Sequence, residues 1–193
     1  WAGQCDLPEV HADQHAIIYQ PGNSDVMYFG NDGGIYSTDD GSSTSPTFKR
    51  KEFGYNTSQF YSVAMEPTAF SPEFIGGTQD NGSNKITNLG LSTIVESTGC
   101  DGGFAHIDQY DPNVWITAFT NANISRSLDG GLTFSLILGN NGGSFINPTD
   151  YDNIENIYYG GFSAGTYFFS TDLTILNFPS LNLDYPPTVS VFK

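Results

Sequence analysis

The chain has 193 residues and carries 21 acidic side chains against 6 lysines and arginines, which gives a net charge of −15. Hydrophobic residues make up 38% of it and aromatic residues 15%, which is enough for a packed core and excludes an intrinsically disordered chain. No apolar run reaches the ~18 residues of a membrane-spanning helix, and the basic side chains are too few and scattered to bind a phosphate backbone. We therefore expect neither membrane insertion nor a nucleic-acid partner.

A repeat of about 45 residues runs along the chain. Pro21, Pro67 and Pro112 follow one another at intervals of 46 and 45 residues, and each copy holds short apolar segments separated by Gly, Pro, Asn and Asp. No segment keeps the 3.6-residue apolar spacing of an amphipathic helix over three turns. Four short strands in a copy of this length are typical of a propeller blade, so the sequence predicts an all-β fold, a β-propeller.

The four strands of each predicted blade are labelled A to D from the propeller axis outward. In the first copy they are expected near residues 15–20, 26–30, 35–38 and 47–52. Four-stranded blades are predicted at residues 11–53, 58–97, 101–139 and 143–179, followed by the inner strand of a fifth at 188–193. Because a propeller closes on itself to protect its edges, we expect a segment of a larger ring of about six to eight blades rather than a closed four-bladed ring.

Residues 127–134 follow the Asp-box pattern Ser-x-Asp-x-Gly-x-Thr-aromatic, which is typical of the turn between strands C and D of a blade. In this pattern the aspartate accepts hydrogen bonds from turn amides, the glycine allows a positive φ, and the aromatic ring anchors the hairpin. A degenerate copy with a longer loop lies near residue 40. We interpret both turns as structural, with these defining positions: Ser127, Asp129, Gly131, Thr133, Phe134, Ser37, Asp39 and Gly41.

Strands alternate in direction within a blade, so the D–A and B–C connections share one end of the predicted propeller, and the A–B and C–D connections share the other. The first end gathers a set of acidic, amide and imidazole side chains that stand next to predicted strands. We call it the predicted ligand face, and its candidate residues are His11, Asp13, His15, Asn31, Asp32, Asp80, Asn81 and Asp101.

Three interpretations of these residues compete. In the first, the Asp-Gly and Asn-Gly pairs are tight turns whose side chains bind their own backbone amides. In the second, Asp13, Asp32, Asp80 and Asp101 hold Ca²⁺, or the alternating His11, Asp13 and His15 hold a transition metal. In the third, two of the same four aspartates are the paired catalytic carboxylates of a glycoside hydrolase.

Four segments carry a resemblance to a known group: residues 11–16, 30–36, 76–82 and 101–104. Their succession resembles secreted bacterial propellers of the sortilin/Vps10-like, BNR (Asp-box) repeat superfamily, many of them exported or surface proteins of Bacteroidetes. The resemblance implies an extracellular or cell-surface location. Xyloglucanase-like glycosidases and sialidases are more distant relatives by architecture. Sialidases need three arginines, whereas this chain has only Arg50 and Arg126, which argues against that activity.

The function expected from these observations is binding: a repeat protein that takes a glycan or protein ligand, or the remaining blades of its parent chain, on the predicted ligand face. The alternatives are a xyloglucanase-like hydrolase and a structural subunit of a surface assembly. No cofactor other than Ca²⁺ is suggested. The two cysteines, Cys5 and Cys100, form one disulfide if the chain is exported, or are two free thiols.

Overall fold

The computed structural model describes residues 10–51, 54, 58–90, 94–139 and 142–161, and the backbone of residues 167–170. The described residues contain fifteen β-strands in four antiparallel sheets. Within this part of the chain there is no helix, and so none long and apolar enough to span a membrane. The chain divides into two compact units, Trp1–Ser58 and Gln59–Lys193, each described by itself below.

The first unit contains one four-stranded sheet in the order β1-β2-β3-β4. Its strands are β1 (Gln14–Gln20), β2 (Asn23–Asn31), β3 (Gly34–Thr38) and β4 (Lys49–Arg50). All residues of β1 are exposed, and Tyr36 on β3 is the one buried hydrophobic side chain of the unit among the described residues. The four strands of this sheet are therefore all hydrogen-bonded to their neighbours, but the described part of the unit has little apolar core.

The second unit contains the other three sheets, each with strands in chain order. The second sheet comprises β5 (Phe60–Met65), β6 (Phe74–Thr78), β7 (Ser83–Ile86) and β8 (Val95–Thr98). The third comprises β9 (Gly102–Ile107), β10 (Trp115–Phe119), β11 (Asn123–Ser127) and β12 (Ser135–Leu138). The fourth shows β13 (Thr149–Asp152), β14 (Ile157–Gly161) and β15 (Tyr167–Ser170).

The core of the second unit lies on both faces of the third sheet. Trp115 belongs to a cluster with Ile75 of the second sheet, whereas its neighbour Ile116 packs in another cluster with Tyr151 and Tyr158 of the fourth. Successive side chains of a strand point to opposite faces, so β10 supplies both clusters from adjacent positions. The three sheets are therefore stacked face to face.

Close backbone contact between the second and third sheets depends on glycine. A Cβ atom added to Gly77, near the end of β6, would lie 2.0 Å from the carbonyl oxygen of Gly103, and one added to Gly102 would lie 2.2 Å from that of Gly82. No side chain fits at such distances. The glycine pairs of the repeat thus let neighbouring sheets touch through their main chains.

Chain-ordered four-stranded antiparallel meanders are the architecture that the repeat predicts, and the all-β expectation is confirmed. The blade boundaries stay a prediction. The last part of the fourth predicted blade and the predicted inner strand at 188–193 lie outside the described residues.

Candidate functional site

The best-defined polar site of the second unit lies in the turn between β6 and β7 and in the segment that leads into β9. Asp80 and Cys100 adopt left-handed backbone conformations, with φ of 61° and 65°. The amide of Gly82 donates to the carbonyl of Cys100 at 2.7 Å, and that of Thr78 donates to the carbonyl of Gly82 at 2.9 Å. The first bond holds the two segments side by side at the predicted ligand face, and the second closes the β6–β7 turn.

Asp101 is bound to this turn. Its carboxylate oxygen Oδ1 accepts a hydrogen bond from the backbone amide of Asp80 at 3.0 Å. Asn81 is also used locally, because its side-chain amide donates to the carbonyl of Gln79 at 3.1 Å. The Asp101 contact is of the kind that the first interpretation expects, in which an acid of the ligand face binds a turn amide.

Tyr61 adds an aromatic ring to the same place. It lies on β5 with 44% of its surface exposed, and its hydroxyl donates to the side-chain oxygen of Gln79. Partial burial, followed by the negative charges of Asp101 and Asp80, raises the pKa of Tyr61 above its usual value, so the phenol stays protonated. We call this group of residues the Tyr61 patch: Tyr61, Gln79, Asp80, Asn81 and Asp101.

Sequence reasoning found three members of the Tyr61 patch and missed Tyr61 and Gln79. The available signal was the alternation along β5, where Tyr61, Val63 and Met65 are exposed and the residues between them are not. That period-2 pattern places Tyr61 on a solvent-facing side of an inner strand. The repeat alone does not show that it meets the turn after β6.

In the first unit, the predicted ligand-face residues interact with one another. The imidazole Nε2 of His15 contacts Oδ1 of Asp32, and the side-chain oxygen of Asn31 accepts the amide of Gly33 at 3.0 Å. The ring of His11 lies over Gly33, where an added Cβ would come within 2.4 Å of it. His15 therefore contacts an aspartate, and His11 packs on the turn that contains Gly33.

The four aspartates proposed as Ca²⁺ ligands or catalytic acids are divided between the units. Asp13, with a left-handed φ of 57°, and Asp32 lie in the first, whereas Asp80 and Asp101 lie in the second. The calcium prediction and the carboxylate-pair prediction both stay predictions.

The turn at residues 127–133 has the hydrogen bonds expected from its sequence. The Asp129 carboxylate accepts the hydroxyls of Ser127 and Thr133, each at 2.6 Å, and the amides of Leu132 and Thr133. The two hydroxyl bonds, Ser127 first, hold the pKa of Asp129 far below its usual value. Phe134 packs against the cluster around Trp115, so the turn is anchored in the core.

The equivalent contacts in the first unit are shifted by one residue from the predicted positions. Thr38 donates its hydroxyl to Asp40 at 2.5 Å, and the amide of Thr47 donates to the same carboxylate at 2.9 Å. Ser37 is instead buried, and Asp39 pairs with Lys49. The bonds of this turn therefore come from Thr38 and Asp40, not from Ser37 and Asp39, and Gly41 donates its amide to the carbonyl of Asp25 at 2.9 Å.

Two polar side chains of the second unit, the buried Lys85 and the partly buried His106, are structural. Lys85 donates to the carbonyl of Gly131 at 2.7 Å and lies 5.6 Å from the centre of the Trp115 ring. His106 contacts the Thr149 hydroxyl through Nε2 at 2.9 Å and meets the Tyr158 ring edge-on. Desolvation lowers the pKa of His106 to about 4 against a smaller opposite effect of Asp150, so the ring is neutral near pH 7. Both side chains join neighbouring sheets.

Cys100 is disulfide-bonded. The predicted partner, Cys5, lies outside the described residues. The Cys5–Cys100 pairing therefore stays a prediction.

Comparison with solved structures identifies the architecture. The fold is that of a β-propeller. An ancestral GH74 enzyme superposes on 86% of this chain with a TM-score of 0.52 and 16% sequence identity. The GH74 enzyme of Niastella koreensis matches 87% of it with a TM-score of 0.50 and 20% identity. The chain spans 25% and 30% of the lengths of these two proteins, respectively. No protein-family model and no curated protein sequence matches the chain.

Proposed function

We propose that this chain is part of an extracellular or cell-surface propeller, of the BNR and sortilin-like kind, that binds a neutral glycan through the Tyr61 patch. The observation that carries the proposal is the patch itself, in which a half-exposed aromatic ring stands beside carboxylate and amide groups. A planar ring can stack on the apolar face of a sugar, while such polar groups exchange hydrogen bonds with its hydroxyls. The net charge of −15 disfavours anionic glycans.

The contacts of Asp101 favour binding over hydrolysis. A retaining or inverting hydrolase needs two carboxyl groups facing each other across the substrate, about 5–10 Å apart. Here one oxygen of Asp101 is committed to the amide of Asp80, which is the role of a turn-forming residue. The hydrolase remains the rival function, since Asp13, Asp32 and Asp80 also belong to the predicted ligand face.

The test is a titration of the chain with a panel of neutral and anionic oligosaccharides. Calorimetry measures binding, and an assay of new reducing ends measures cleavage. We expect binding of a neutral oligosaccharide without cleavage, weakened at least several-fold by Tyr61→Ala and much less by Tyr61→Phe, which keeps the ring. Cleavage that disappears in Asp101→Asn would instead establish the hydrolase. Binding that is indifferent to Tyr61→Ala would contradict the proposed site.

A further inference from the structure

The opposite end of the second unit carries an open groove that the glycan site does not use. It has a volume of about 440 Å³ and lies between the β5–β6 loop, the β9–β10 turn and the turn at residues 127–133. The A–B and C–D connections meet at this end, which the sequence marks only as structural turns. Its lining includes Glu66, Thr68, Phe70, Glu73, Pro112 and Gly130. We call it the Phe70 groove.

The loop that forms one wall is held by its own hydrogen bonds. The amide of Glu66 donates to the carbonyl of Glu73 at 3.0 Å, and the Glu66 carboxylate accepts both the amide and the hydroxyl of Thr68, at 3.1 and 2.6 Å. The amide of Ser71 donates to the carbonyl of Thr68 at 2.9 Å. The loop therefore presents a defined surface before any partner arrives, which lowers the entropic cost of binding.

Phe70 is displayed by this loop rather than packed in it. Its side chain is fully exposed, at 101% of the reference surface, and its backbone has a left-handed φ of 66°. That conformation is unfavourable for a bulky residue, and full exposure gives the ring no burial to offset it. An exposed aromatic side chain held in such a conformation is more readily explained by an external contact than by folding.

The charge of the groove selects the partner. Two carboxylates, of Glu66 and Glu73, lie in its lining, and the lining contains no lysine or arginine. The hydrogen bonds from Thr68 hold the pKa of Glu66 below its usual value, so it is ionised at neutral pH. An aromatic face beside carboxylates is the combination that attracts an ammonium or guanidinium group, by cation–π and charge-assisted interactions together.

We propose that the Phe70 groove is a second binding site that takes a lysine or arginine side chain on an exposed segment of a protein partner. The site is independent of the glycan proposal, because it lies at the other end of β6 and shares no residue with the Tyr61 patch. The cationic side chain would lie against the Phe70 ring with its charge directed at Glu73.

The experiment is a titration of the ¹⁵N-labelled chain with a short Gly-Arg repeat peptide and with its Gly-Glu counterpart, followed by NMR. We expect the arginine peptide alone to bind, and to shift most strongly the amide signals of the non-proline groove residues, Glu66, Thr68, Ala69, Phe70, Ser71, Glu73, Asn113 and Gly130. Because the whole chain is acidic, it attracts basic peptides in general. Variants that leave the net charge unchanged separate this general attraction from binding in the groove. Phe70→Asn removes the ring, and asparagine tolerates the left-handed backbone. The matched control is Phe145→Asn, the same substitution at an exposed phenylalanine that precedes β13 and does not line the groove.

Phe70→Asn is expected to weaken the arginine peptide about two- to five-fold, as for an exposed cation–π contact, and Phe145→Asn to leave its affinity unchanged. Glu73→Gln should also weaken it and reduce the dependence on salt. Spectra of each variant without peptide show whether the fold is kept. The proposal is overturned if the arginine peptide does not bind, if its shifts spread over the whole surface, or if Phe70→Asn and Phe145→Asn bind it equally.

Discussion

The two compact units have the same kind of sheet but differ in what they bury. Among the described residues, the first unit buries one hydrophobic side chain, Tyr36, whereas the second buries Trp115, Tyr158, Ile75, Ile116 and several others. The second unit stacks three sheets, so each face of the middle one has a partner, while the first unit contains a single sheet. A four-stranded sheet covers neither of its own faces, and its stability therefore comes from neighbouring layers.

The largest expected effect tests this difference directly. Trp115→Ala removes a fully buried ring between the second and third sheets and should destabilise the second unit by about 3–5 kcal/mol. Tyr36→Ala, the matched change in the first unit, should cost clearly less, because among the described residues Tyr36 belongs to no cluster of buried hydrophobic side chains. Denaturant unfolding followed by circular dichroism gives the total loss of stability, and hydrogen exchange assigns it to a unit. Equal losses from the two variants would show that the first unit has a core of comparable strength.

The second unit is also expected to be sensitive to mild acid. His106 has a pKa lowered from 6.5 to about 4 in the folded second unit, so protonation favours unfolding. The contribution of His106 to the free energy of unfolding is therefore fully present above about pH 6.5. It falls by up to about 3 kcal/mol as the pH is lowered toward 4. His106→Gln should flatten this part of the stability–pH curve, read from thermal unfolding between pH 7 and 4. If the stability of the variant falls with pH as steeply as that of the parent, His106 is not the cause of the acid sensitivity.

The glycines near the ends of the second strands give a smaller and sharper comparison. An added Cβ at Gly77 would meet the Gly103 carbonyl oxygen at 2.0 Å, whereas one at Gly30, the corresponding position in the first unit, would find the Ala16 Cβ at an ordinary 3.7 Å. Gly77→Ala should therefore cost about 1–3 kcal/mol by forcing the sheets apart, and Gly30→Ala close to nothing. Melting temperatures of the two variants check this. A large loss from Gly30→Ala would mean that the first sheet also has a close neighbour.

The sequence was sufficient for features that depend on local pattern. The repeat predicted the strands and their order, and Ser127 to Phe134 predicted a turn whose bonds the structure contains, because each of these features is set by residues within one hairpin. The turn of the first unit is shifted from its predicted positions, because 37–40 reads Ser-Thr-Asp-Asp and so offers a second hydroxyl-x-Asp pair one residue later, although Gly41 fits the earlier pair better. The hydrogen bonds from Thr38 and Thr47 to Asp40 show that the structure uses the later pair.

Two other features could not be predicted because they arise from contacts between distant segments or from backbone geometry. Tyr61 meets Gln79 only when β5 pairs with β6. Phe70 is fully exposed and has a left-handed conformation, neither of which its residue type gives a reason to expect.

The smallest predicted effect compares the two turns. Asp129 accepts bonds from Ser127, Leu132 and Thr133, and its turn is anchored in a core by Phe134, whereas Asp40 accepts its bonds from Thr38 and Thr47 in the thinly packed unit. Hydrogen bonds to each ionised carboxylate lower its pKa below 3.8, so each stabilises its turn above about pH 4 and less as the pH falls further. Asp129 is exposed and Asp40 is only partly buried, so screening by solvent keeps either contribution small.

Asp129→Asn should therefore lower the melting temperature at pH 7 by a few degrees at most, and Asp40→Asn by less. The deficit of each variant should shrink as the parent is acidified below pH 4, a range separate from that of His106. Hydrogen exchange at the amides of Leu132, Thr133 and Thr47 reads the two turns individually. If Asp40→Asn proved the more damaging, anchoring by a core would not be what makes such a turn matter, and the contrast between the units would rest on sheet stacking alone.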